Sequence, residues 1–297
     1  MTRSKETFTM EIAGGLGNQL FMFYAGLFFQ DRFQREVIFD ISDFSRINTL
    51  HPGANIQTLG MLDGFTTIDK SDSPAFPLER VFSRLKRTVR IPPQKRIFVS
   101  DEIGYINPST IATNVTRIKG YFQSWFYFES LQDKPILSLT NIKSPSEWLI
   151  VKLEYVKGNK VLALHVRRGD SSLYANRSNG ILSGNYYEKA IEKCMDYDVI
   201  WVFTDSPNEV ELEFKNLNFS FEIIAPPRTT DPVESLLLMS SAQQIVISNS
   251  TFSWWSAMLA PKTTSVIAPL KWNELREDPS RLIPDSWRRH PSDWVRQ

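Results

Sequence analysis

A single cysteine, Cys194, occurs in 297 residues, so no internal disulfide forms and nothing in the fold depends on an oxidising compartment. Only three histidines stand beside it (His51, His165 and His290), too few for an ordinary structural zinc site. An excess of charge of either sign is also missing. Lys and Arg number 34 against 33 Asp and Glu, a formal net charge of +1. A bulk electrostatic grip on nucleic acid needs a clearly basic domain, so nucleic acid is not expected as a partner. No apolar run reaches membrane-spanning length, and the oiliest, Leu20 to Phe29, is broken by Gly26. Residues Met1 to Thr9 are polar and lack the apolar core of a signal peptide. A cytoplasmic location follows as the expectation, and the Asn-x-Ser/Thr tripeptides from Asn114, Asn176, Asn218 and Asn249 read as coincidence. Internal repeats and low-complexity tracts are absent.

What is present is ordinary for a folded protein: 42% hydrophobic and 23% charged residues. The length suits one large domain or two of middle size. Phe8, Met10 and Ile12 alternate with Thr7, Thr9 and Glu11, the period of a half-buried strand. Gly14, Gly15 and Gly17 then break the pattern, helical spacing returns from about Asn18, and Val37 to Ile41 completes a β-α-β unit. The next hundred residues, rich in proline, read as loops and short elements.

From about residue 158 to 270 the pattern is more regular. Val161–Val166, Val199–Phe203, Phe221–Ala225, Ile245–Ser248 and Ser265–Ala268 are short, β-branched runs of the kind buried parallel strands show. Between them, Asn185-x-x-Glu188, Ser206-Pro207-x-Glu209 and Asp231-Pro232-x-Glu234 carry capping-box signals for helix starts. Repeated strand-helix alternation predicts an α/β protein with a doubly wound parallel sheet. With the N-terminal β-α-β unit, it predicts two Rossmann-like halves facing a central cleft.

Open parallel sheets bind ligands at the carboxyl ends of their strands. There the sequence places Gly14-Gly15-Leu16-Gly17-Asn18-Gln19, then His165 with Arg167-Arg168-Gly169-Asp170, then Thr204-Asp205-Ser206, Pro226-Pro227-Arg228, and Asn249-Ser250-Thr251-Phe252-Ser253. The glycine turn lets a phosphate or sugar approach a helix N-terminus. It also reads as an ordinary β-α turn, or as part of a dinucleotide fingerprint with Asp40 as the ribose acid, although Leu20 stands where a third glycine belongs. Two guanidinium groups straight after a buried strand need anionic partners, either a bidentately held phosphate or internal carboxylates such as Asp170 and Asp205. Asn249 to Ser253 opens a helix with small polar side chains and suits an anion or hydroxyl contact. Trp254 and Trp255 read as core, and His165 as a buried strand histidine.

Gly14-Gly15-Leu16-Gly17-Asn18-Gln19, His165-Val166-Arg167-Arg168-Gly169-Asp170 and Asn249-Ser250-Thr251-Phe252-Ser253-Trp254-Trp255, in this order and spacing, resemble the bacterial α-1,2-fucosyltransferase family. The resemblance covers nearly the whole chain. It implies a GT-B-type fold, with residues 1–150 on the acceptor side and 151–297 binding GDP-β-L-fucose. The implied reaction transfers fucose to the 2-hydroxyl of a galactose in an oligosaccharide, O-antigen or lipid-linked glycan, with inversion. No metal and no cofactor is implied, with GDP-fucose as co-substrate. Arg167 and Arg168 would lie near the diphosphate. On physical grounds Arg167 and Asp170 are the catalytic candidates, Arg167 to stabilise the leaving charge and Asp170, the nearest motif carboxylate, as the acceptor's base or else as an orienter of the arginines. Gly15, Gly17, Asn18 and Gln19 would cover diphosphate and fucose, Ser250, Thr251, Phe252 and Ser253 with Asn249 would contact phosphate or ribose, and His165 and Asp205 would approach the nucleoside. Two positions depart from the family pattern. Ser171 replaces a frequent aromatic, and Ser235 replaces a frequent aspartate, with Asp231 and Glu234 offset nearby.

A basic stretch holds Arg80, Arg84, Lys86, Arg87, Arg90, Lys95 and Arg96, with Val81, Phe82, Leu85 and Val89 near helical spacing. It reads as a solvated helix face with an inward apolar stripe, or as a peripheral contact with an anionic inner membrane surface.

Overall fold

The N-terminal alternation becomes strand β1 (Thr7–Glu11), with Phe8 and Met10 buried and their neighbours partly exposed. Helix α1 (Leu16–Phe33) follows the glycine turn and is buried on almost every side from Leu16 to Phe29. A helix apolar all round belongs inside a core. It lies against the Phe8, Met10, Val37 and Phe39 face of the sheet, where Gly26 permits close approach. A Cβ there would stand 2.7 Å from the Phe39 ring. The structure is a computed structural model that describes residues 6–42, 44, 56–69, 96–100, 102–168, 179–227 and 230–295.

The chain divides into two units, one of Met1–Lys134 with Pro279–Arg281, the other of Pro135–Asp278 with Leu282–Gln297. The first adds β2 (Glu36–Asp40), β3 (Thr66–Ile68), β4 (Arg96–Val99), β5 (Val115–Lys119) and the short α2 (Trp125–Glu129). Its parallel sheet has the order β3-β2-β1-β5-β4. Opposite α1, the sheet carries a charged cluster. Arg117 on β5 reaches Glu11 at 3.0 Å and also Asp40, and Lys119 reaches Glu11 at 2.6 Å.

The second unit contains α3 (Glu147–Gly158), β6 (Val161–Val166), α4 (Gly184–Ile191), β7 (Val199–Thr204), α5 (Pro207–Phe214), β8 (Glu222–Ile223), α6 (Pro232–Ser240), β9 (Gln244–Val246), α7 (Thr251–Leu259), β10 (Ser265–Pro269) and β11 (Arg288–His290). All five expected runs form strands in one parallel sheet, ordered β11-β10-β9-β6-β7-β8. Every residue of β6 is buried, so its apolar run needs no alternation. Leu162, Leu164, Val166, Tyr186, Tyr187, Val202 and Phe214 share one core on one side of this sheet. Trp254 and Trp255 are fully buried, as their sequence context predicts. The expected α/β class with two parallel-sheet units is therefore what the chain forms.

The helix starts are partly redrawn. Asp231 caps α6 by accepting from the Val233 N–H at 3.0 Å, but Glu234 does not close the box. Its buried carboxylate instead accepts from the Ser146 N–H at 3.0 Å and from the Ser146 hydroxyl, at the start of α3. At α4 the cap is Ser183 rather than Asn185. Both side chains donate to Asp293, at 2.5 and 3.0 Å, while Glu188 accepts from the Asn218 N–H. A carboxylate released from the local box gains a distant donor that the fold brings into reach. Among the described residues no helix is long and apolar enough to cross a membrane. The basic stretch from Arg80 to Lys95 lies outside the described residues, and of Arg96 only the strand backbone is described.

Candidate active site

In the second unit the functional candidates gather at the carboxyl ends of three adjacent strands. β6 is central, flanked by β9 and β7. His165, near the end of β6, shares a hydrogen bond of 2.7 Å between Nδ1 and the Ser248 hydroxyl beyond β9. Its ring lies 5.6 Å from that of Phe252. Burial, with the Arg167 charge adding to it, lowers the His165 pKa from 6.5 to about 3. The imidazole is therefore neutral at physiological pH, a hydrogen-bonding group rather than a cation.

The two arginines after β6 part company. Arg167 is half-buried, and its Nε lies 3.1 Å from Asp205 Oδ2 at the end of β7. Arg168 turns inward and is 6% exposed. Its Nε and Nη2 donate to the two carboxylate oxygens of Glu213 on α5, at 2.8 and 2.9 Å, a fork-on-fork pair. Its Nη1 donates to the Arg167 carbonyl at 2.8 Å, and its backbone N–H donates to Asp205 Oδ1 at 2.8 Å. Burial lowers the Arg168 pKa, but Glu213 and Tyr187 together more than offset this and the net direction is upward. Asp205 thus bridges both residues, one through a guanidinium and the other through a backbone N–H. The Arg168 guanidinium thus has an internal carboxylate partner, and that carboxylate is Glu213. Asp170 and Gly169 lie outside the described residues.

The Asn249–Ser253 run divides in the same way. Asn249 Nδ2 lies 3.1 to 3.2 Å from the carbonyl oxygens of Asn179, Gly180 and Trp272, so this amide staples two loops. Ser250 caps α7, its hydroxyl accepting from the Phe252 N–H at 3.3 Å. Ser253 is fully buried, its hydroxyl directed at the Ser250 and Ser248 carbonyls. Ser250, Thr251 and Phe252 stay half-buried at the mouth of the helix. Of the three residues near the family aspartate position, Glu234 is held by Ser146 and Asp231 caps α6. The Ser235 hydroxyl is buried with no hydrogen-bond partner among the described residues.

In the first unit Gly14 takes φ 76, open to glycine at little cost. The Asn18 and Gln19 N–H groups both close on the Gly15 carbonyl, at 2.9 and 3.1 Å. Gln19 is 1% exposed, donating to the Gly14 carbonyl at 2.8 Å and accepting from the Ile56 N–H at 3.1 Å. It braces the turn from beneath. Asn18 is half-buried and accepts at Oδ1 from Gln123 Nε2 at 2.9 Å. Gly15 and Gly17 keep their places at the cap and first turn of α1. Asp40, the ribose acid of the dinucleotide reading, is already engaged by Arg117 and by the Ser42 N–H, at 3.0 Å from the latter. Burial raises its pKa, but Ser42 and Arg117 outweigh that and hold it below 3.8.

Sequence reasoning missed Glu213, Ser248 and Gln123 as members of these clusters. Glu213 sits on an ordinary amphipathic helix, and Ser248 reads only as the end of a strand. For Gln123, the glycine at position 120 straight after β5 is the one local signal. Among the described residues no group of three or more His, Cys, Asp or Glu side chains could hold a metal ion.

Compared with known proteins, the family described as Glycosyl transferase family 11 matches residues 111–281. An O-antigen biosynthesis glycosyltransferase, WbnK of Escherichia coli, is 28% identical, covering 93% of this chain and 98% of that protein. An alpha-1,2-colitosyltransferase, also of Escherichia coli, is 26% identical, covering 96% and 97%. The crystal structure of fucosyltransferase NodZ from Bradyrhizobium aligns with a TM-score of 0.46 at 13% identity, over 87% of this chain and 95% of that one.

Proposed function

The chain belongs to glycosyl transferase family 11, and on that footing we propose that it transfers L-fucose from GDP-β-L-fucose to the 2-hydroxyl of a galactose in an O-antigen-type oligosaccharide. The names of the two relatives support this reading, one for O-antigen biosynthesis and the other for α-1,2 transfer of a sugar. The observation that carries it is Arg167, a half-buried guanidinium steadied by Asp205 at the carboxyl end of β6.

In this reading the reaction inverts the sugar carbon. As the bond to the diphosphate breaks, negative charge grows on the β-phosphate and the ring becomes oxocarbenium-like. A fixed cation stabilises that charge without reorganising, the largest single contribution in many enzymes. Arg167 supplies it, with the N-terminus of α7 at Thr251 adding N–H dipoles. The glycine turn of the first unit is read by itself as a contact for a diphosphate. Arg168 acts one layer back, holding the Arg167 carbonyl and tied to Asp205 rather than touching phosphate. His165 contributes hydrogen bonding near the nucleoside, not charge. Asp170 is the motif carboxylate assigned to the acceptor proton. The Asp170→Asn and Asp170→Ala variants test that assignment, because turnover retained by both removes Asp170 as the base.

No divalent ion takes part in the proposed mechanism, so chelators leave turnover unchanged. Loss of activity on chelation overturns that element. The central test supplies GDP-fucose and a galactoside panel and reads the product linkage by NMR. A second arm supplies nucleotide-activated colitose, since one relative is named for that sugar. Arg167→Ala is expected to lower turnover by roughly 10²–10³ while the fold survives. Undiminished turnover in a folded variant refutes the role of Arg167.

A further inference from the structure

At the end of β5 the backbone leaves its ordinary range. Gly120 has φ 150, and Phe122 has φ 49, the left-handed region that a bulky aromatic rarely enters. Such strain persists only where the surroundings impose it, and it marks places worth a functional explanation. Here the Phe122 ring is fully buried, edge-on to Phe29 at 5.5 Å and to Tyr127 at 6.1 Å. The next two N–H groups are also committed, Gln123 to the Ile103 carbonyl and Ser124 to the Phe122 carbonyl.

The consequence is the placement of one side chain. Gln123 is delivered to the glycine turn, where its Nε2 donates to Asn18 Oδ1 across 105 residues of sequence, at 2.9 Å. This bond has a direction. With its oxygen occupied, the Asn18 carboxamide turns its NH2 toward Gly14, and a Cβ at Gly14 would lie 3.0 Å from Asn18 Nδ2. The opposite orientation would present a carbonyl oxygen to the turn and repel an anion there.

We propose that Gln123 is a positioning residue for the donor, keeping the Asn18 NH2 turned toward the glycine turn so that it donates to the diphosphate of the nucleotide sugar. This rests on the preceding reading that the turn contacts the diphosphate. Gln123 itself touches no substrate and acts only through Asn18.

A double-mutant cycle read by calorimetric titration with GDP tests it. Gln123→Met keeps the side-chain length, adds no charge and removes the donor. It is expected to weaken GDP binding about five- to tenfold, the scale of one hydrogen bond's worth of orientation. Asn18→Ala is expected to weaken it at least as much. The double variant is expected to bind no more weakly than Asn18→Ala alone, because the two residues act as one unit. Donor KM rises in Gln123→Met while acceptor KM holds, and thermal unfolding confirms that each variant folds. Wild-type affinity in Gln123→Met beside a weakened Asn18→Ala overturns this proposal alone, as do losses that simply add. Wild-type affinity in Asn18→Ala overturns the diphosphate reading and the proposal with it.

Discussion

His165 links the site to stability in a way that can be measured directly. The unfolded chain takes up a proton on this imidazole near 6.5, whereas the folded chain does so only near 3. Between those values the unfolded state binds more protons, so stability is full above 6.5 and declines as pH falls toward 3. The ring is buried, so little solvent screening moderates the effect. At about pH 5 the interval of roughly 1.5 units corresponds to about 2 kcal/mol, and the limit at low pH is about 5 kcal/mol. His165→Asn removes the titration while keeping a polar atom near the position of Nδ1, within reach of Ser248. The variant's stability at neutral pH differs for packing reasons, so the informative quantity is the change in unfolding free energy between about pH 7.5 and 5. Urea unfolding followed by tryptophan fluorescence suits this, because every tryptophan except Trp125 lies in the second unit. The wild-type chain is expected to lose about 2 kcal/mol more than the variant over that interval. Parallel pH profiles for the two proteins would refute the argument that His165 is held neutral.

Glu213→Ala strips the buried Arg168 of its counter-ion and is expected to destabilise the second unit by about 3 kcal/mol, measured by the same urea titration. Because Arg168 supports Arg167, the milder Glu213→Gln is expected to lower turnover in a fully folded protein, and unchanged turnover would detach this pair from the site. Glu234→Ala leaves the Ser146 N–H and hydroxyl without their acceptor, at a cost of about 1–3 kcal/mol in unfolding free energy. Unaltered stability there would mean that local capping at Asp231 matters more than the tie to α3.

Much of the second unit was legible because its signals are local. Val161–Val166 is apolar throughout since both faces of β6 are covered, and Ser206-Pro207 and Asp231-Pro232 mark helix starts where the structure has them. The same local grammar misled at Asn185 and Glu234. A capping box competes with any better donor that folding brings near, and sequence spacing carries no record of that competitor. The hundred residues after β2 gave few periodic cues, and Gln123 went unnoticed there.

The order of motifs, the parallel strands and the position of polar residues at their carboxyl ends are all properties of neighbouring residues, so the chain's linear pattern was enough to determine them. Which group pairs with which was decided only in three dimensions. Arg168 takes Glu213, Glu234 takes Ser146, Gln19 takes Gly14 and Ile56, and Asn18 takes Gln123. Hydrogen bonds and Coulomb attraction act across space over a few ångströms, while most of these partners stand tens of residues apart along the chain. Periodicity can say that a polar side chain sits at the edge of a sheet, but only packing decides whether it faces a ligand or props up the residue that does.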